Sequence, residues 1–105
     1  MDSKNESFDV EFTDECIKEI TEIYEYISNF LNANEAAKRL ILEVMDKILN
    51  LATEPELYMK IGKTDKLKRD YHRMVIKNYI ILYKIDYKNK IVYISRMIYE
   101  KRNYL

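Results

Sequence analysis

Glycine, proline, cysteine and histidine each occur once in this 105-residue chain, and tryptophan does not occur. Each scarcity removes a class of chemistry. Gly62 alone cannot build a glycine-rich phosphate loop. His72 alone cannot supply a histidine metal site, no HExxH motif is present, and without a serine nucleophile elbow nothing marks a Ser-His-Asp triad. Cys16 alone rules out an intramolecular disulfide and a multi-cysteine zinc site, and its place on a predicted helix suits a small buried apolar residue. No apolar run approaches the roughly 18 residues of a membrane span. The polar start, Met1 to Ser7, lacks the apolar stretch of a signal peptide. The expectation is one domain over residues 1–105, cytoplasmic, with no membrane contact, no metal and no cofactor.

Charge is abundant and unevenly placed. Residues 1–57 carry 14 acidic side chains against 5 basic, and residues 58–105 carry 13 basic against 4 acidic. The basic part also holds 8 of the 10 tyrosines. Cations attract phosphate and flat rings stack on unpaired bases, so one reading is a nucleic-acid surface. The other is that tyrosine suits strands and lysine protects sheet edges.

Phe8, Val10 and Phe12 alternate with polar residues and predict a short strand. Thr13 or Asp14 offers an N-cap, and Ile17, Ile20, Tyr24, Ile27 and Leu31 predict an amphipathic helix over residues 14–31. Asn32 to Asn34 breaks it. Asn34 is placed to cap a second helix whose inward face is Ala37, Leu40, Ile41, Val44, Ile48 and Leu51. So short a link implies an antiparallel helical hairpin. Residues 52–69 show no period, and this long connection brings Lys60, Lys63, Lys66, Lys68 and Arg69; it is either a phosphate contact or a solvated connector.

The remainder reads as three strands. In the first, His72, Met74 and Ile76 share one face, while Tyr71, Arg73, Val75 and Lys77 share the other. Lys77-Asn78 suits a tight hairpin because asparagine tolerates positive φ. The second strand, Tyr79 to Asp86, is apolar almost throughout and suits a centre covered on both sides. The third, Lys90 to Met97, puts Val92, Ile94 and Arg96 on one side and Ile91, Tyr93, Ser95 and Met97 on the other. Arg96 is either functional or paired with Glu100 or Asp70. His72 is either a general base or a histidine turned toward the helices.

Arg73, Lys77, Arg96, Lys101 and Arg102, with Tyr71, Tyr99 and Tyr104, form the candidate site. Two roles fit it. In metal-free RNA cleavage a 2′-OH attacks the adjacent phosphate, which needs a proton acceptor, cations at the phosphorane and an acid for the leaving 5′-oxygen. The alternative is a basic, aromatic docking surface without chemistry.

Ile23-Tyr-Glu-Tyr-Ile, Glu35-Ala-Ala-Lys-Arg-Leu, Val75-Ile-Lys-Asn-Tyr-Ile-Ile-Leu-Tyr-Lys-Ile-Asp and Val92-Tyr-Ile-Ser-Arg-Met-Ile-Tyr-Glu-Lys-Arg-Asn-Tyr, in this order and spacing, resemble the RelE/ParE superfamily of type II toxins, the plasmid stabilisation proteins. The resemblance covers nearly the whole chain. It implies a growth-inhibiting toxin neutralised by a cognate antitoxin that wraps it and adds to its sheet. One branch of the family consists of ribosome-dependent mRNA interferases, and another poisons DNA gyrase. The nuclease branch places basic residues near Arg73 and Val75, an arginine at the position of Ile80 and another near Glu100. Only Arg73 matches, with Lys101 and Arg102 able to replace the last if the register shifts. A terminal His-Tyr pair of some members falls on Ile98 and Tyr99. The implied site is therefore Arg73, Arg96, Tyr99 and Arg102 as catalytic candidates. Lys77, Lys101, Tyr71, Tyr104, Lys66, Lys68 and Arg69 are candidates for target binding.

The expected fold is α+β: a short N-terminal strand and a two-helix hairpin packed on one face of a twisted antiparallel sheet, formed mainly by the three C-terminal strands. The expected function is that of a type II toxin acting on translation or on gyrase. A non-catalytic binding module with a toxin-like fold is the alternative.

Overall fold

A computed structural model of the chain describes residues 7–60 and 71–101. The first strand, β1 (Asp9–Phe12), packs Phe8, Val10 and Phe12 against the core, as their period predicts. Thr13 then ends the strand and starts helix α1 (Asp14–Glu25), its hydroxyl oxygen accepting the Cys16 N–H at 3.1 Å. Asp14 and Glu15 sit in the first turn, where the helix dipole favours negative charge.

The helix keeps its direction past Glu25 but widens into a π-helical turn, Tyr26–Phe30. Its buried side also differs from the predicted stripe. Cys16, Ile20, Ile23 and Ile27 meet the core, while Ile17 and Leu31 are 50% and 51% exposed. The observed set follows a four-three-four spacing that keeps Ile20 and Ile27 of the predicted stripe and replaces Ile17 and Tyr24 by Cys16 and Ile23. Asn32, at φ 54°, reverses the chain, and Ala33 N–H donates to the Ile27 carbonyl at 3.0 Å. Asn34 begins α2 (Asn34–Asn50) without capping it; its carboxamide oxygen instead accepts from the Ser28 hydroxyl across the link. Along α2, Ala37, Leu40, Val44 and Ile48 are buried as predicted, with Leu51 just beyond.

Strands β2 (His72–Ile76), β3 (Tyr79–Asp86) and β4 (Ile91–Tyr99) complete a four-stranded sheet in the order β1-β4-β3-β2. β2, β3 and β4 are antiparallel neighbours, but β1 runs parallel to β4, so the sheet is mixed rather than antiparallel. The helical hairpin carries the chain across the sheet between β1 and the other strands, a connection whose direction local periodicity does not encode. In the β2–β3 turn the positive φ, 53°, falls on Lys77 rather than on Asn78. The β3–β4 turn is closed by Asp86, which accepts from the Asn89 backbone N–H at 3.0 Å and from its side-chain amide at 2.9 Å.

The helices cover one face. There Met74, Ile76, Ile81, Tyr83, Val92, Ile94 and Met97 meet Leu40, Val44, Ile48 and Leu51 in the main core. The stretch predicted as an irregular connection is moored where it is described. Phe8 N–H donates to Ala52 O at 2.7 Å, Tyr83 Oη donates to Pro55 O at 2.9 Å, and Arg73 N–H donates to Met59 O at 3.0 Å. Lys60 lies opposite His72, so this segment runs along the outer edge of β2. No helix among the described residues is long and apolar enough to cross a membrane.

Candidate functional site

The alternation of β2 turns Arg73 and Val75 away from the helices. On β3, Ile80 and Leu82 take that side, and with Ile98 of β4 they make a second small apolar cluster against which Tyr71 packs. Strand pairing sets these residues in rows: Arg73, Leu82 and Arg96 in one, Val75, Ile80 and Ile98 in the next. Lys84 lies over the Tyr71 ring, its Nζ 5.2 Å from the ring centroid.

Arg96 reaches this far face through an irregularity. Tyr83 pairs with Ile94 and Leu82 with Arg96, which leaves Ser95 as the extra residue of a β-bulge. The alternation is reset there. Arg96 therefore does not share a face with Val92 and Ile94, and Met97 does not share one with Ile91 and Tyr93, contrary to the pattern of period two. The bulge lies where β1 ends, and α1 takes over that edge of β4. Thr13 Oγ1 donates to Ser95 O at 2.9 Å, and Met97 N–H donates to Glu19 Oε1 at 2.9 Å.

Among the described residues, the guanidinium of Arg96 is held by carboxylates of α1 and not by Glu100. Arg96 donates to Glu19 Oε2 from Nε at 2.8 Å and from Nη2 at 2.5 Å, and Glu15 lies 3.6 Å from Nε. The hydrogen bond to Glu19 is the main reason its pKa is raised above the ordinary arginine value. The clamp joins residues 77 positions apart, which no local motif could reveal.

The other candidates are dispersed. Tyr99 lies with Tyr79 on the helix side, their ring centroids 5.6 Å apart, away from Arg73 and Arg96. Both line a groove of about 770 Å³ with Ile23, Ile27, Leu31 and Met97. Tyr26, also in that lining, stacks on Phe30 at 5.1 Å. Burial, then the neighbouring Tyr99 and Tyr26, push the Tyr79 hydroxyl above its ordinary pKa. Sequence reasoning missed this groove, although Tyr26 and Phe30, apolar residues off the helical stripe, were a signal for it. Lys77 lies in the β2–β3 turn, 3.5 Å from Glu43. Lys101 is exposed just after β4. Arg102, Tyr104, Lys66, Lys68 and Arg69 fall outside the described residues, as do Lys63 and Asp70.

His72 is turned toward the helices and buried. Its Nδ1 is 2.7 Å from Tyr58 O, and its ring stacks on Tyr83 at 5.0 Å. It is a packing residue on the side of the sheet opposite Arg73. Cys16 is equally remote from chemistry: burial first, and Glu19 second, raise its thiol from 9.0 to about 12. The thiolate is the reactive form. Iodoacetamide at pH 8 is therefore expected to leave native protein unlabelled and to alkylate Cys16 only as urea unfolds the chain, as mass spectrometry can follow. Labelling of the native fold as fast as a free thiol would contradict this. Among the described residues no group of three or more His, Cys, Asp and Glu side chains is placed to hold a metal ion.

Residues 10–104 match the family model described as the ParE toxin of type II toxin-antitoxin systems, parDE. No curated protein matches the sequence. Solved structures share the fold at low identity. The Mycobacterium tuberculosis RelBE2 toxin–antitoxin complex contains a chain with a TM-score of 0.66 and 18% identity, covering 89% of this chain and 98% of that one. The chromosomal ParDE system of Pseudomonas aeruginosa gives a TM-score of 0.69 at 12% identity, covering 88% and 95%. The archaeal RelE–RelB complex of Pyrococcus horikoshii gives 0.57 at 22%, covering 90% and 97%. The helical hairpin and the mixed sheet thus belong to a fold shared with chains of these toxin–antitoxin complexes. With the family pattern running through nearly its whole length, the chain belongs to the ParE toxins of type II toxin–antitoxin systems.

Proposed function

We propose that this toxin arrests growth by docking through the far face of its sheet on a protein target, DNA gyrase, and not by cleaving mRNA on the ribosome. The observation that carries the reading is the commitment of Arg96 to Glu19 and Glu15. A guanidinium already matched by two carboxylates is poorly placed to stabilise a phosphorane. The rest of the face points the same way. The row Val75, Ile80 and Ile98 offers neither charge nor proton donor, Tyr99 lies on the opposite side, and His72 is buried among core residues. Arg73, exposed beside Val75, then serves as a contact residue at the rim. Tyr71, packed on the same apolar cluster, and the exposed Lys101 extend that contact surface.

A cognate antitoxin neutralises the toxin, in keeping with the toxin–antitoxin complexes that share the fold. Both act in the cytoplasm, where gyrase is found. The test is induced expression in a tolerant host, with and without the antitoxin gene. Growth arrest relieved by the antitoxin, a DNA-damage response and unchanged mRNA 5′ ends are expected. Translation-dependent cuts that disappear in Arg73→Ala or Arg96→Ala would establish an mRNA interferase instead. Growth unaffected by induction would leave a toxin-like fold acting only as a binding module.

A further inference from the structure

We propose that Glu19 is a specificity-determining residue: it withholds Arg96 from phosphate and so keeps single-stranded nucleic acid off the far face. Three observations meet at this one carboxylate. One oxygen, Oε2, takes two guanidinium donors, Nε at 2.8 Å and Nη2 at 2.5 Å. The other, Oε1, takes the Met97 N–H at 2.9 Å, a backbone donor that β1 would have satisfied had it continued past Phe12. Glu15, one helical turn earlier, adds a second carboxylate 3.6 Å from Nε. The backbone bond holds the Glu19 side chain in place independently of Arg96.

The consequence is electrostatic. One cation faces two anions, so an approaching phosphate meets a site of net negative charge where an isolated arginine would attract it. Arg96 stands in the same cross-strand row as Arg73, on a face that also carries Lys84. Without the clamp, that face would present cations from three strands. With it, Arg96 is fixed and neutralised, and the bulge that aims it is locked to α1. Glu19 therefore turns an arginine on a basic face into a structural tie. This role does not depend on which protein the toxin inhibits.

The test is fluorescence anisotropy of a labelled oligouridylate dodecamer with the purified full chain, titrated over a series of salt concentrations. Glutamine at position 19 retains an oxygen for Met97 N–H but no charge. Glu15→Gln/Glu19→Gln is expected to bind the RNA roughly tenfold more tightly at low salt, with a salt slope steeper by about 0.7, the increment for one added phosphate contact on a single strand. Adding Arg96→Ala is expected to abolish that gain. Glu22→Gln/Glu25→Gln makes the same charge change elsewhere on α1 and is expected to gain far less. Arg96→Ala/Glu19→Gln, which leaves the net charge of the site unchanged, is expected to leave RNA affinity unchanged within twofold.

A gain that survives Arg96→Ala, or no gain in a double variant whose circular dichroism is native, would overturn the role of Glu19. So would a loss of RNA affinity in Arg96→Ala/Glu19→Gln. Failure of the gyrase reading would be seen separately, in cut transcripts during induction.

Discussion

Val75→Asp is expected to abolish growth arrest while leaving the fold intact. Val75 lies on β2, the strand at one end of the sheet order, and is 46% exposed on the far face beside Arg73. Docking would desolvate this position. A charge introduced at the centre of a contact costs on the order of 2–4 kcal/mol, roughly a 30- to 1,000-fold loss of affinity. In the folded monomer the same carboxylate stays in water, and the cost there is a lower strand propensity, up to about 1 kcal/mol. Colony recovery on inducer, beside a urea midpoint for the purified variant, separates the two effects. Val75→Lys gives the sharper contrast: it restores a cation where the nuclease branch carries one, yet it is expected to weaken arrest just as aspartate does. Unchanged arrest by Val75→Asp would sink the docking reading.

The largest expected loss of stability comes from Tyr83→Ala, about 3–5 kcal/mol. Tyr83 is fully buried at the centre of β3, stacks on His72 at 5.0 Å and donates from its hydroxyl to Pro55 O at 2.9 Å. Truncation leaves a cavity between the sheet and the helices and frees the segment that follows α2. Tyr83→Phe keeps the ring and removes only the hydrogen bond, so about 1 kcal/mol is expected from it. Urea denaturation measures both. If alanine cost no more than phenylalanine, the ring would not be the anchor of this region.

Burial also makes stability sensitive to alkali. It raises the Tyr83 hydroxyl from 10.0 to about 12, and the Cys16 thiol from 9.0 to about 12. Both groups fold in the neutral form, so their contribution is complete below pH 9. It is lost as pH rises toward 12, because the unfolded chain ionises first.

Much of the fold was legible because local periodicity reports which side of an element meets the core. Phe8, Val10 and Phe12 face inward, as do Met74 and Ile76, and Ala37, Leu40, Val44 and Ile48 line α2 as their spacing requires. On α1, Ile20 and Ile27 meet the core as their spacing requires, while Ile17 and Leu31, just as apolar, are exposed and Cys16 and Ile23 are turned inward. Asn34 was read as a cap, but Ser28 holds its side chain.

The candidate site was legible only in part. Arg73 was correctly placed beside Val75, because β2 alternates without interruption. Arg96 was not, because a bulge leaves little trace in composition while resetting the faces of everything beyond it. Local spacing carries the strands and the helical hairpin, and the order of motifs along nearly the whole chain carries the family. The direction of β1, the bulge at Ser95 and the pairing of Arg96 with Glu19 were decided only by tertiary structure. Each joins segments far apart in sequence, and the energy of such a contact depends on a geometry that exists only once the chain has folded.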